Sequence, residues 1–196
     1  MSVVRQFSGI NAISIYAKNI AGTVITGGFL RIIPSLVNLS VFIGGIASVF
    51  ILVHLGRKPA GHIGILGESL ANLFIILGAY ITGGGKEVQG ILSIVGLFIC
   101  TFVYGSFLGP ITWAYIPEIV EPKMIPFTTS VSWVIASIVV TLFPILSHIM
   151  SNPGPIFIFF GGFCILSCLF NVIFMVETKG KSQLQIKQEY KEFKLF

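Results

Sequence analysis

The sequence predicts an all-α integral membrane protein of six transmembrane helices, and three observations predict it. Of its 196 residues, 55% are hydrophobic and 10% charged, with a mean hydropathy of +0.97, whereas soluble domains carry roughly 25% charge. The apolar residues fall into runs of about 20 or more, the length that crosses a hydrocarbon core about 30 Å thick. The runs show no period-two alternation, which excludes barrel strands, and lipid cannot hydrogen-bond a bare backbone, so each run is helical.

The first span covers about 3–28 and is the weakest, because Arg5, Gln6, Ser8, Asn11 and Lys18 interrupt it. The second, about 32–53, ends in the turn HLGRKP, where Gly56 is followed by Arg57 and Lys58. The third covers about 63–82; Glu68, near its start, is expected at the interface rather than deep in the bilayer. The fourth, about 89–115, runs into GPITWAYIPEIVEP, where prolines free carbonyls and kink the helix. Trp113 there suits an aromatic closing over a cavity or, with Tyr115, an interfacial belt. The fifth and sixth spans cover about 127–149 and 155–176. Residues 1–176 thus form one transmembrane domain. The tail, 177–196, is expected to be a solvated or frayed helix rather than a lipid-binding basic patch.

Charge placement orients the spans. One set of alternate loops holds Arg57, Lys58, Lys123, Lys179, Lys181, Lys187, Lys191 and Lys194; the other holds Lys18, Arg31 and Lys86. By the positive-inside tendency the first set is cytoplasmic, together with both termini. The net charge of +5 is therefore a topology signal and not a nucleic-acid footprint. The opening also lacks the basic region, short apolar core and cleavage site of a signal peptide.

Catalysis has no candidate. The chain contains no Asp, its three His are scattered, and Cys100, Cys164 and Cys168 lie inside spans without ligand spacing, as small packing residues. No cofactor or metal is implied. Two constellations remain. The opening offers Gln6, Asn11 and Tyr16, and amides that both donate and accept suit the paired hydroxyls of a neutral polyol. In an ideal helix Gln6 and Asn11 lie about 140° apart, so they share a ligand only if the helix is distorted near Gly9. At the opposite extreme, Arg57, Lys58, Glu118, Lys123 and Glu177 cluster at span ends, where charge alone leaves two readings open: cations and carboxylates from different helices that pair and latch a bundle, or solvated loop charges.

Read in order, QFSGIN at 6–11, LGRKP at 55–59, GPITWAYIPEIVEPK at 109–123 and VETKG at 176–180 resemble the sugar porter family of the major facilitator superfamily. The counterparts there are QLSGIN in the seventh span, the GRR or GRK loop after the eighth, GPIPWFYVAEIFP in the tenth and PETKG after the twelfth. The resemblance implies half of a twelve-span major facilitator fold, its last six spans. It makes Gln6 and Asn11 hydroxyl-binding amides, Tyr16 a lining or gate aromatic, Trp113 the aromatic under the sugar, and Ser132 the counterpart of an Asn that precedes Trp. It places Arg57, Glu118 and Glu177 in a cytoplasmic charge network.

Several positions depart from the family pattern. Arg5 replaces the first Gln of a QQ pair, and a cation at mid-membrane costs on the order of 3 kcal/mol unless it pairs or meets water. Val53, beside His54, stands in place of an acid, Val41 falls where relatives carry an Asn, and no acid lies near Gly105. In relatives about half an apolar span precedes the QFSGIN glutamine, so the opening reads as the later part of a span, with Arg5 near the cytoplasmic surface. The function implied is that of the C-terminal half of a plasma-membrane transporter moving a hexose or polyol by alternating access. Its partners are the lipid bilayer and a missing N-terminal six-span half or another membrane chain; no nucleic acid is expected. The alternative is a six-span membrane interaction protein, derived from such a half, that transports nothing.

Overall fold

The computed structural model describes residues 2–22, 28–81, 85–150 and 154–193. The helices are α1 (Ser2–Phe7), α2 (Ile10–Ala21), α3 (Ile33–Leu55), α4 (Arg57–Tyr80), α5 (Gly85–Val103), α6 (Gly109–Ile119), α7 (Ile125–Ile149), α8 (Gly154–Phe174) and α9 (Gln183–Phe193). A π-turn over Tyr104–Leu108 joins α5 to α6. Five helical stretches among the described residues are long and apolar enough to cross a membrane: Ile33–Leu55, Arg57–Tyr80, Gly85–Ile119, Pro122–Ile149 and Gly154–Phe174.

The bundle is built around α4, which packs against α5 on one side and α8 on the other. Its buried face runs Ala60, Gly61, Gly64, Ile65, Glu68, Ala71, Asn72, Ile75 and Gly78. That is a helical stripe of small residues with two polar ones. Lipid tails give apolar helices no reason to associate, so backbone proximity through small residues drives the packing. The π-turn shows the same logic, since a Cβ on Gly105 would strike the backbone of Val41 on α3. A carboxylate at position 105 has no room while α3 sits there. The outward residues, among them Phe42, Phe50, Leu166 and Phe170, are more than half exposed, as a lipid-facing surface requires.

Two spans are not the uninterrupted helices that apolar length predicts. The stretch expected as the first span, part of which (23–27) lies outside the described residues, is broken: α1 ends at Phe7, Gly9 takes φ 91°, and α2 starts at Ile10. A side chain at position 9 would be strained by the backbone and would meet the Phe160 ring at 2.9 Å. The carbonyl of Ser8, left without a helical partner, accepts a bond from Asn72 Nδ2 at 3.2 Å. The fourth span absorbs Pro110 rather than kinking freely. The Gly109 N–H reaches back five residues to the Tyr104 carbonyl, a wider turn that takes up the proline at the start of α6.

Two expectations are corrected and one is narrowed. Glu68 is not interfacial: α4 begins at Arg57 because Pro59 is tolerated in a first turn, so Glu68 sits about 16 Å along the helix and is fully buried. Tyr115 is not a belt residue; it is 3% exposed. The tail is the solvated helix of the two readings rather than the frayed one, and it is anchored, for α9 docks on α6 through buried Ile186. Residues 194–196 lie outside the described residues.

Candidate functional site

The break in the first span creates the amide cluster. Gln6 ends α1 and Asn11 begins α2; the left-handed Gly9 turns them toward each other, and Asn11 Nδ2 donates to Gln6 Oε1 at 2.5 Å. Gln6 Nε2 then donates to Ser132 Oγ on α7 at 2.9 Å. These bonds leave the Asn11 carbonyl oxygen as an acceptor and the Ser132 hydroxyl proton as a donor. Arg5, one residue before Gln6, also reaches Ser132, with Nη2 at 3.3 Å from Oγ. Its guanidinium carbon lies 4.9 Å from the Trp113 ring centroid and 5.8 Å from that of Trp133, within cation–π range. Both indoles are about half exposed, while Arg5, Gln6 and Ser132 are buried. A row of donors and acceptors thus lies under an aromatic rim.

Beneath this cluster a second polar layer holds the break in place. Asn72 donates to the Ser8 and Glu68 carbonyls, and Ser8 Oγ donates to the Arg5 carbonyl at 2.9 Å. The Glu68 carboxyl accepts the Cys100 thiol at 2.8 Å. Cys100 is therefore a donor to a buried carboxyl rather than plain packing. Among the described residues no group of His, Cys, Asp or Glu is arranged to hold a metal.

The charged end is a separate construction. Arg57 Nη2 and Nε both reach Glu118 Oε1, at 2.7 and 3.1 Å. Glu118 Oε2 accepts the Thr178 hydroxyl. Glu177 does not pair with a cation side chain. It accepts the backbone N–H groups of Arg57, Lys58, Thr178 and Lys179, each at 2.9 Å; the first two belong to the first turn of α4, where they lack helical partners, and the other two to the turn that follows Glu177. Burial alone would raise its pKa, but the N–H groups of Lys179, Arg57, Lys58 and Thr178 outweigh it and hold the carboxyl below the ordinary 4.5. Lys179 Nζ meets the His54 carbonyl at the end of α3, at 3.0 Å. Tyr115 exchanges hydrogen bonds with the Val176 backbone and lies 2.8 Å from the Tyr190 hydroxyl on α9. Clefts of about 370 and 740 Å³ open at this end, away from the amide cluster. The amide cluster is a candidate site on its side-chain chemistry and not on concavity.

Residues 1–190 match the family model described as "Sugar (and other) transporter". The chain belongs to the sugar transporter family. Among curated relatives, the "Hexose transporter 1" of Plasmodium yoelii yoelii is 28% identical over 184 residues, covering 92% of this chain and 36% of that protein. The "Facilitated trehalose transporter Tret1" of Polypedilum vanderplanki is 29% identical over 194 residues, covering 94% and 38%. The chain thus spans less than two fifths of the length of these relatives. A solved XylE double-tryptophan mutant superposes with a TM-score of 0.85 at 21% identity, over 96% of this chain and 41% of that one, which shows a shared fold. As a member of that family, the chain is a multi-pass integral membrane protein of a transporter family, not an enzyme.

Against the sugar-porter motifs, the structure brings Gln6, Asn11 and Ser132 into one hydrogen-bonded row, with Trp113 joined to them through Arg5. The side chain of Tyr16 lies outside the described residues. Of the charged residues, Arg57 and Glu118 pair directly, Glu177 and Lys58 meet through the Lys58 backbone, and Lys123 stands apart, 3.4 Å from Glu121 and largely exposed. Lys123 is excluded from the Arg57 cluster because the turn over Pro122–Met124 points it outward from the bundle end. Sequence reasoning missed Trp133, Thr178 and the Glu68–Asn72 pair. The last had a signal: a carboxylate and an amide one turn apart inside an apolar span are costly there unless used.

Proposed function

We propose that this chain forms the six-span C-terminal half-bundle of a sugar porter, with α1 and α2 together making the first, broken span. Joined to a second six-span half, it moves a hexose or polyol across the plasma membrane by alternating access. Gln6, Asn11 and Ser132 bind sugar hydroxyls, Trp113 packs on the ring, and Tyr16 lines the path. The Arg57–Glu118 pair and the Glu177 cap close the cytoplasmic end, on the same side as both termini.

The observation that carries this reading is the row Asn11–Gln6–Ser132 beside Trp113 at a helix break, an arrangement that supplies donors and acceptors without a carboxylate. The relatives named for hexose and trehalose transport support the substrate class. The test is uptake of labelled hexose into vesicles holding this chain paired with the N-terminal half of a hexose transporter. Uptake is expected, and Gln6→Ala or Trp113→Ala lowers it about five- to thirtyfold, one lost hydrogen bond or ring contact being worth roughly 1–2 kcal/mol. Uptake indifferent to both substitutions would sink the site assignment.

A further inference from the structure

Arg5 is a buried cation without a counter-charge. It is 5% exposed, Nε has no hydrogen-bond partner, and no carboxylate among the described residues comes within ion-pair distance of it. Glu68, the carboxyl nearby on α4, is turned to Cys100 instead. Tyr104 shares a side-chain hydrogen bond with Arg5, a neutral partner that supplies no counter-charge. The guanidinium faces are covered by Trp113 and Trp133, so its remaining binding capacity is in its edge. The Nε–Nη2 edge is the one a carboxylate grips side-on; Nη2 holds a long bond to Ser132, and Nε is the guanidinium nitrogen left without a partner among the described residues. The two indoles that cover its faces are 47% and 57% exposed, so Arg5 lies near the surface of the bundle.

Neutral sugar hydroxyls are served by Gln6, Asn11 and Ser132; a hydroxyl can accept from Nε but brings no opposite charge to a buried cation. We infer that the ligand of this site is a sugar acid, whose carboxylate meets the Nε–Nη2 edge of Arg5 while its hydroxyls meet Gln6 and Asn11. This rests on reading the amide cluster as a sugar site.

The chain's two tryptophans, Trp113 and Trp133, both flank Arg5, so their fluorescence reads the site directly. The full chain in lipid nanodiscs is titrated with D-glucuronate, D-glucose, glucose 6-phosphate and acetate. Glucuronate is expected to act at a concentration about tenfold or more below glucose, with the advantage shrinking as salt rises from about 0.05 to 0.5 M. Arg5→Gln abolishes the advantage and Arg5→Lys keeps part of it. Equal affinity for glucose and glucuronate overturns the charge inference and leaves the sugar site standing; no response to any sugar overturns both. Acetate matching glucuronate would mean an anion site blind to sugar, and glucose 6-phosphate surpassing it would replace carboxylate by phosphate. A glucuronate preference lost in Glu68→Gln would assign the counter-charge to Glu68 and also overturn the inference. Should Arg5→Gln not fold, the ratio in the unaltered chain and its salt dependence still decide.

Discussion

Gly56 shows how a single residue sets the charged end. Its φ of 85° with ψ of 178° is a region essentially reserved for glycine, and a Cβ there would lie 2.8 Å from Glu177 Oε2. Gly56→Ala is expected to cost about 1–3 kcal/mol and to separate Glu177 from the α4 N-terminus; thermal unfolding in nanodiscs measures the first and thiol labelling at Lys58→Cys the second. Glu177 itself gives a pH signature. Its carboxyl titrates below 4.5 in the folded chain, so its stabilising contribution is complete above that value and is lost as pH falls through the lower folded one. Melting temperature should decline on acidification below about pH 4.5, and Glu177→Gln should flatten that part of the curve. An unchanged slope in the variant would remove Glu177 from the latch. The residue types of this end were legible in LGRKP and VETKG; the pairing was not. A carboxylate beside cationic motifs reads as half of an ion pair, whereas the folded chain uses it on backbone N–H groups that a one-dimensional sequence cannot align.

At the scale of elements, the broken first span is held by a neighbour rather than by its own turns. Asn72 on α4 supplies the donor that the Ser8 carbonyl lacks. Asn72→Leu leaves that carbonyl bare in an apolar interior, a loss of about 1–3 kcal/mol, and should speed hydrogen exchange over residues 5–12 more than over α5. Equal protection in variant and parent would show that the break needs no outside support. Glycine at position 9 could be read as a point of distortion, and the apolar stripe of α4 as a packing face. The direction of the break could not, because it depends on α4 and α8 arriving from far along the chain. The tail shows the same limit. Polar composition argued for solvent, yet a few inward residues, Ile186 and Tyr190, dock α9 beside Tyr115. Tyr190→Phe should lower the protection of α9 against proteolysis, with little change in the spans, since one hydroxyl pair is worth about 1 kcal/mol.

At the scale of the whole molecule, the asymmetry of Lys and Arg between alternate loops predicts which ends share a side. Cysteines placed at Lys58, Lys123 and Lys187 should react with an impermeant maleimide only after cells are opened, and one placed at Lys86 should react in intact cells. The reverse pattern would invert the topology. The shape that the XylE neighbour shares, at 21% identity, rests on features that composition carries well: span length, small-residue stripes and charge at the ends. Those are set by the bilayer and need no knowledge of partners.

The sequence by itself determined that this chain lies in a membrane as helices, where the helices run and which chemistry is scarce, because hydrocarbon thickness and the cost of bare backbone act on each segment separately. Only the tertiary structure decided what the scarce polar groups do. It turned Gln6 toward Asn11 across Gly9, buried Glu68 against Cys100, gave Glu177 to the α4 backbone, and left Arg5 between two indoles without an opposite charge. Each of those outcomes depends on contacts between residues far apart in the chain, and in an apolar bundle a polar atom's role is set by whichever distant partner the packing brings within hydrogen-bond reach.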